Sequence, residues 1–168
     1  GPAAPRPAQA AVISLPDPSA DRVLGQINYT NSENDILYHP SGVAVASDGR
    51  LFVVESFGHE VSSWPSAAAF ASADAPDLVI GAYGDPPSAS TFYQPESIAV
   101  DASDNLWVSD TFNHRVLRIP PPYTAGADLV LGQADFISNA SNRGGPPAAN
   151  TFNFPRGLAF DGAGNLYV

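Results

Sequence analysis

Asn105-Leu-Trp-Val-Ser-Asp110 and Arg115-Val-Leu-Arg-Ile119 are two short apolar runs separated by Thr111-Phe-Asn-His114. Short runs rich in Val, Ile, Leu and Trp, bounded by Asp and Asn, read as strands. So short a link makes the two strands an antiparallel hairpin. The same phrase recurs. Arg50-Leu-Phe-Val-Val-Glu55 and Glu60-Val-Ser-Ser-Trp64 stand 55 positions earlier, and Asn165-Leu-Tyr-Val168 stands 60 positions after Asn105. On the N-terminal side, Pro95-Glu-Ser-Ile-Ala-Val100 matches Pro40-Ser-Gly-Val-Ala-Val45 and Pro155-Arg-Gly-Leu-Ala-Phe160. On the C-terminal side, Asp128-Leu-Val-Leu-Gly132 matches Asp77-Leu-Val-Ile-Gly81.

Each unit is therefore four strands, a to d. Ser47-Asp-Gly-Arg50, Ser103-Asp-Asn105 and Gly162-Ala-Gly-Asn165 read as the a–b turns. Strand b is apolar on both sides, Leu51 and Val53 pointing one way and Phe52 and Val54 the other. A strand covered on both faces suits a small sheet packed between two similar sheets. Strand a carries Ala44, Ala99 and Ala159, small enough for sheets that crowd toward an axis. Four-stranded sheets repeated every ~40–50 residues are the signature of a β-propeller. The extra length here lies in the d–a connections, above all Phe136 to Phe154.

The predicted fold is all-β, a β-propeller of four-stranded antiparallel blades. Residues 1–10 are an Ala/Pro-rich lead, and 11–168 form the propeller segment. Val12-Ile-Ser-Leu-Pro16 and Asp21-Arg-Val-Leu-Gly25 supply a c–d pair over 11–27. Full blades cover 40–82 and 95–133, and an a–b pair covers 155–168. That is about three blade equivalents, whereas propellers usually have four to eight. The expectation is a partial propeller, completed by further blades of a longer chain or, second in preference, by a second copy. The absence of Met and the stop in mid-strand at Val168 agree with a segment.

Composition removes several chemistries. There is no Cys and no Lys, and the seven cations are all Arg. Disulfides, thiolate nucleophiles, Cys-ligated metals, Schiff bases and the phosphate-loop lysine are excluded. A net charge of −10 argues against nucleic acid, whose phosphates need clustered Lys and Arg. No apolar run approaches the ~20 residues of a membrane-spanning helix. Low charge density and the missing Cys and Lys lead to an extracellular or periplasmic expectation.

At the level of residues, Pro95-Glu-Ser-Ile-Ala-Val-Asp101 and Asn105 to Ile119 resemble the NHL repeat. That family's unit reads Pro-x-Gly-Ile/Val-Ala-Val-Asp, then Gly-Asn-Ile/Leu-Tyr-Val-Ala-Asp, then Asn-x-Arg-Ile/Val. Val130-Leu-Gly-Gln-Ala-Asp-Phe136 is similar to the form found in large bacterial, often exported, members. The likeness extends over roughly 11–168, but in the first full blade Gly58-His59-Glu60 replaces Asn-His-Arg and the arginine is lost. The resemblance implies about six blades. It leaves function open among RNA-binding modules, protein-interaction domains, sensor ectodomains and a few metal-dependent lyases, because function belongs to sites grafted on the fold.

In an antiparallel meander the b–c and d–a connections emerge on one face. Glu55, His59, Asp110, His114 and Arg115 flank or lie in b–c turns, and His39 ends a d–a connection. These six are the candidate ligand-binding residues. Histidines and carboxylates converging on a funnel would suit Zn²⁺ or another divalent first-row metal. Against this, His59/His114 and Glu55/Asp110 recur at the same place in successive blades. Repeated positions usually hold loops in shape, and Asp110 and Arg115 bracket one hairpin as an ion pair would. His39 has no counterpart, since Gln94 and Phe154 stand at its position. The aspartates of the a–b turns, Asp48, Asp101, Asp104 and Asp161, could suggest Ca²⁺, but such turns take Asp for their geometry. Trp64, Trp107, Tyr167, Phe52 and Phe160 are expected in the core. Asn28-Tyr-Thr30 and Asn139-Ala-Ser141 match the glycosylation acceptor pattern. No Gly-x-Ser-x-Gly, His-Glu-x-x-His or phosphate loop is present, so the leading expectation is a binding or interaction scaffold without cofactor. The competing one is a metal-dependent lyase or lactonase with its site in the central funnel.

Overall fold

The computed structural model describes residues 37–67 and 75–168. The lead over 1–10, the c–d pair over 11–27 and the Asn28 acceptor lie outside the described residues. Two four-stranded antiparallel sheets carry the architecture. The first runs β1 (Pro40–Val45), β2 (Leu51–Glu55), β3 (Glu60–Trp64) and β4 (Leu78–Ile80), paired in that order. The second runs β5 (Ser97–Val100), β6 (Leu106–Asp110), β7 (Arg115–Ile119) and β8 (Leu129–Leu131), again in sequence order. A hairpin of β9 (Ala159–Phe160) and β10 (Leu166–Tyr167) follows. Each sheet is a meander, so neighbours in sequence are neighbours in space, and register follows the short turns. Glu55 faces Glu60 across the first b–c hairpin and Asp110 faces Arg115 across the second.

The a–b turns owe their shape to aspartate. Asp101 Oδ1 accepts the Ser103 and Asn105 N–H groups, and Asp161 Oδ1 accepts those of Ala163 and Asn165. Against burial, the Trp107 indole and the Asn105 amide hold the Asp101 carboxyl below the usual carboxylate range, and the Asn165 amide, with its N–H, holds that of Asp161 at about 2. Asp101 Oδ2 also takes the Trp107 indole N–H at 2.9 Å, which fixes the ring beside the turn.

The main core lies between the two sheets. Phe52, Val54, Val61 and Ile80 of the first meet Ile98, Leu106, Val108, Leu117 and Ile119 of the second, with Phe92 sealed among them. Burying each such side chain contributes about 1.5–3 kcal/mol. Leu51, Val53 and Trp64 form a smaller cluster on the other side of the first sheet. Thus β2 is buried throughout, as its two-sided apolarity predicts. Gly132, at the end of β8, has φ +88°, and a Cβ there would stand 2.3 Å from the Phe152 ring. Gly81 repeats this at the end of β4, against Phe92. Each d strand therefore ends on a glycine so that an aromatic ring can lie on the backbone. Tyr167 departs from expectation: it is exposed, because no described sheet lies against that face of the last hairpin, and its hydroxyl bonds Asp161 Oδ2.

Candidate functional site

The six candidates lie in and around the b–c turns and d–a connections. In the second blade the chain leaves β6 at Asp110, makes one 3-10 turn over Thr111–Asn113 and enters β7 through His114 at φ 54°. His59 occupies the same point of the first blade at φ 61°. A left-handed backbone costs roughly 1–2 kcal/mol in a residue with a side chain. The offsetting interaction is specific. His114 Nδ1 accepts the Phe154 N–H at 3.0 Å, and His59 Nδ1 accepts the Gln94 N–H at 3.0 Å. Each imidazole reaches from its own b–c turn to the d–a connection that leads into the following sheet. An accepting Nδ1 places the ring proton on Nε2. Burial pushes both imidazoles below the usual histidine range, with Asp110 partly opposing this at His59.

Asp110 and Arg115 form a fully buried pair, Nε to Oδ2 at 2.7 Å. Asp110 Oδ1 accepts the Tyr93 N–H at 2.7 Å, and Oδ2 also accepts the Asn113 amide at 2.9 Å. Burial pushes this carboxyl up, while Arg115 and these two donors pull it down. The remaining guanidinium N–H groups bind the carbonyls of Phe136, Ser88 and Thr91 at 2.5–3.0 Å. Arg115 therefore fastens two d–a connections to one hairpin. Glu55, the counterpart of Asp110, accepts the Tyr38 N–H at 2.6 Å and the Ser62 hydroxyl. No arginine faces it. Glu60 stands there instead, its carboxyl pushed up by burial and by Glu55.

His39 is exposed, its ring 4.5 Å from that of Phe57 and 5.2 Å from that of Tyr38. The structure thus joins Asp110 to Arg115 and gives each of the two recurring histidines a partner of its own. It does not gather the three histidines around one point. Among the described residues no three of His, Asp and Glu converge as metal ligands. Both Asp110 oxygens, both Glu55 oxygens and two Nδ1 atoms already accept hydrogen bonds that hold loops.

A cleft of about 430 Å³ is lined by Asp48, Arg50, Asp77, Asp104 and Tyr123 near the a–b turns, where Arg50 and Asp77 pair at 2.8 Å. Gln133 was not singled out by sequence reasoning. Its amide Nε2 donates to the carbonyls of Asn113, His114 and Ala140 at 2.9–3.2 Å, and its Oε1 is the orphan buried acceptor among the described side chains. The signal was present: Val23-Leu-Gly-Gln26 repeats Val130-Leu-Gly-Gln133.

Two consecutive four-stranded meanders packed face to face define the class, a β-propeller. Residues 92–119 match the NHL repeat, the second blade from Phe92 to the end of β7. Three solved structures are similar in backbone. A luciferin-regenerating enzyme has a TM-score of 0.45 and 15% identity, covering 56% of this chain and 30% of its own. Virginiamycin B lyase from Staphylococcus aureus has 0.44 and 11%, covering 76% and 33%. A streptogramin B lyase has 0.40 and 13%, covering 79% and 41%. The chain spans less than half the length of each of these proteins.

Proposed function

We propose that the chain is part of a propeller of about six blades and works as a binding scaffold through the face built by its b–c turns and d–a connections. One observation carries this reading. Glu55, Asp110, Arg115 and the Nδ1 atoms of His59 and His114 on that face are engaged in holding loops, so other exposed side chains are left to meet a ligand. A place outside the cytoplasm is part of the proposal, supported by the missing Cys and Lys and the low charge density.

Further blades are supported by a comparison of equivalent positions. Ile98 is 5% exposed because the first sheet lies against it, whereas Val43, its counterpart 55 residues earlier, is 64% exposed. A blade of the same kind against β1 would bury Val43 as Ile98 is buried. Sedimentation of the 168-residue chain checks this: a stable folded monomer would overturn it.

Metal content and thermal unfolding of the purified chain, with and without chelator, test the scaffold reading against the enzyme one. The expected result is no stoichiometric divalent metal and an unchanged Tm. A bound ion whose removal lowers Tm would favour a metal-dependent lyase or lactonase instead.

A further inference from the structure

A second cleft, of about 360 Å³, opens in the d–a connection that follows β8. Gln133, Ala134, Ser138, Asn139, Ala140 and Arg143 line it. Gln133 is 2% exposed, and its amide is locked in one orientation, because Nε2 donates to three carbonyls, those of Asn113, His114 and Ala140. Oε1 is thereby fixed as an acceptor, and it is the buried side-chain atom without a hydrogen-bond partner among the described residues. An unmet buried acceptor is costly, and native structures leave few of them. On a residue that lines a cleft, such an atom calls for a donor from outside the chain.

Arg143 lines the same cleft. Its Nη2 donates to the Gln133 carbonyl at 2.7 Å and its Nε to that of Gly132 at 3.3 Å, so backbone bonds hold the guanidinium beside Gln133. Arg50, Arg115, Arg118 and Arg156 each pair with a carboxylate, whereas Arg143 is exposed and has no such partner among the described residues. Asp135 is the one carboxylate of the connection from Gly132 to Phe154. It is turned to its own loop, where Oδ1 accepts the Ile137 and Ser138 N–H groups and the carboxyl takes the Ser138 hydroxyl. Gln133 and Arg143 thus set a buried neutral acceptor beside a cation without a counter-charge.

These two groups select the ligand together. A bare anion would meet Arg143 and leave Oε1 unmet. A neutral donor would meet Oε1 and leave the guanidinium without a counter-charge. An ammonium donor would lie beside Arg143 and be repelled. We infer that the cleft binds a carboxylate carrying an uncharged N–H or O–H on the adjacent carbon, the chemistry shared by a peptide C-terminus and a 2-hydroxy acid. The carboxylate pairs with Arg143, whose planar fork matches it, and the neighbouring N–H or O–H donates to Gln133 Oε1. The inference rests on the scaffold reading, because the cleft belongs to a d–a connection of the proposed binding face, and it names what that face takes.

The test is an NMR titration of the full 168-residue chain, read at the backbone amides around Gln133 and Arg143. N-acetylglycine stands for the peptide end and glycolate for the hydroxy acid. Acetate keeps the carboxylate without the donor, and N-acetylglycinamide keeps the donor without the carboxylate. N-acetylglycine or glycolate is expected to bind with Kd of about 1 mM or below, the tighter of the two naming the source. Acetate and N-acetylglycinamide should bind about tenfold more weakly or worse, as loss of one charge-assisted or buried hydrogen bond does. Arg143→Met should weaken binding by a similar factor, and Arg143→Lys should recover part of the loss. If Arg143→Met fails to fold by circular dichroism, the four ligands carry the same test in the unaltered chain. No binding of N-acetylglycine or glycolate, equal binding of either control, or binding indifferent to Arg143 would each overturn the inference. Its failure without bound metal leaves the scaffold reading standing, whereas a stabilising metal removes that reading itself.

Discussion

The two b–c hairpins have the same register and different chemistry. In the second, Arg115 faces Asp110, and the buried pair is surrounded by donors and carbonyls that complete it. In the first, Glu60 faces Glu55, and Glu55 is served by a backbone N–H and a serine. Both hairpins form, so the ion pair is not what makes the turn. What they share is the histidine in the left-handed position and its bond to the next connection. The histidine thus belongs to the repeat, and the arginine to the fastening of the connections at Ser88, Thr91 and Phe136.

The comparison can be broken in four ways. Arg115→Met should have the largest effect. It strands a buried carboxylate and frees three carbonyls, and removal of one partner from a buried pair costs about 3–5 kcal/mol. Urea unfolding would measure it, and a loss below 1 kcal/mol would show that Asp110 is satisfied without its partner. His114→Ala comes next. It leaves the Phe154 N–H without an acceptor, at a cost of about 1–2 kcal/mol, and His59→Ala should do the same at Gln94. Equal losses at the two sites would support a shared role, whereas a loss confined to His114 would tie the histidine to the arginine network.

Acidification should act through both histidines. Their folded-state values lie below the unfolded one, so the unfolded chain binds protons first. Stability is complete above the unfolded value of about 6.5 and declines as pH falls below it. Thermal unfolding between pH 7 and pH 5 would show this, and the double variant lacking both rings should lose most of the slope. The smallest effect belongs to Glu60→Gln. Removing one of two facing carboxylates should stabilise by about 0.5 kcal/mol at neutral pH, visible as a small rise in Tm. A fall would mean that Glu60 has a partner role of its own.

The strands were legible because apolar runs and turn residues are local signals. The described strands lie within the apolar runs read from the sequence, and the NHL resemblance from Asn105 to Ile119 agrees with the match over 92–119. The pairing of Asp110 with Arg115 was legible too, because the two face each other across one short turn. The reach of Arg115 to Ser88, Thr91 and Phe136 was not, because it depends on how long connections fold back over the sheet. Nor was the bond from each histidine to the following connection, since its acceptor and donor are 35 and 40 residues apart.

The bonds from His59 to Gln94 and from His114 to Phe154 have a consequence for how the molecule unfolds. In a linear array of repeats, cooperativity comes from the terms that couple neighbours, added to what each repeat contributes alone. Each of these imidazoles is such a term, and it has a protonation state. Acid would therefore loosen the coupling between blades while each blade keeps its own hydrogen-bonded ladder. The denaturant transition should broaden at low pH, as one collective event separates into sequential melting of blades.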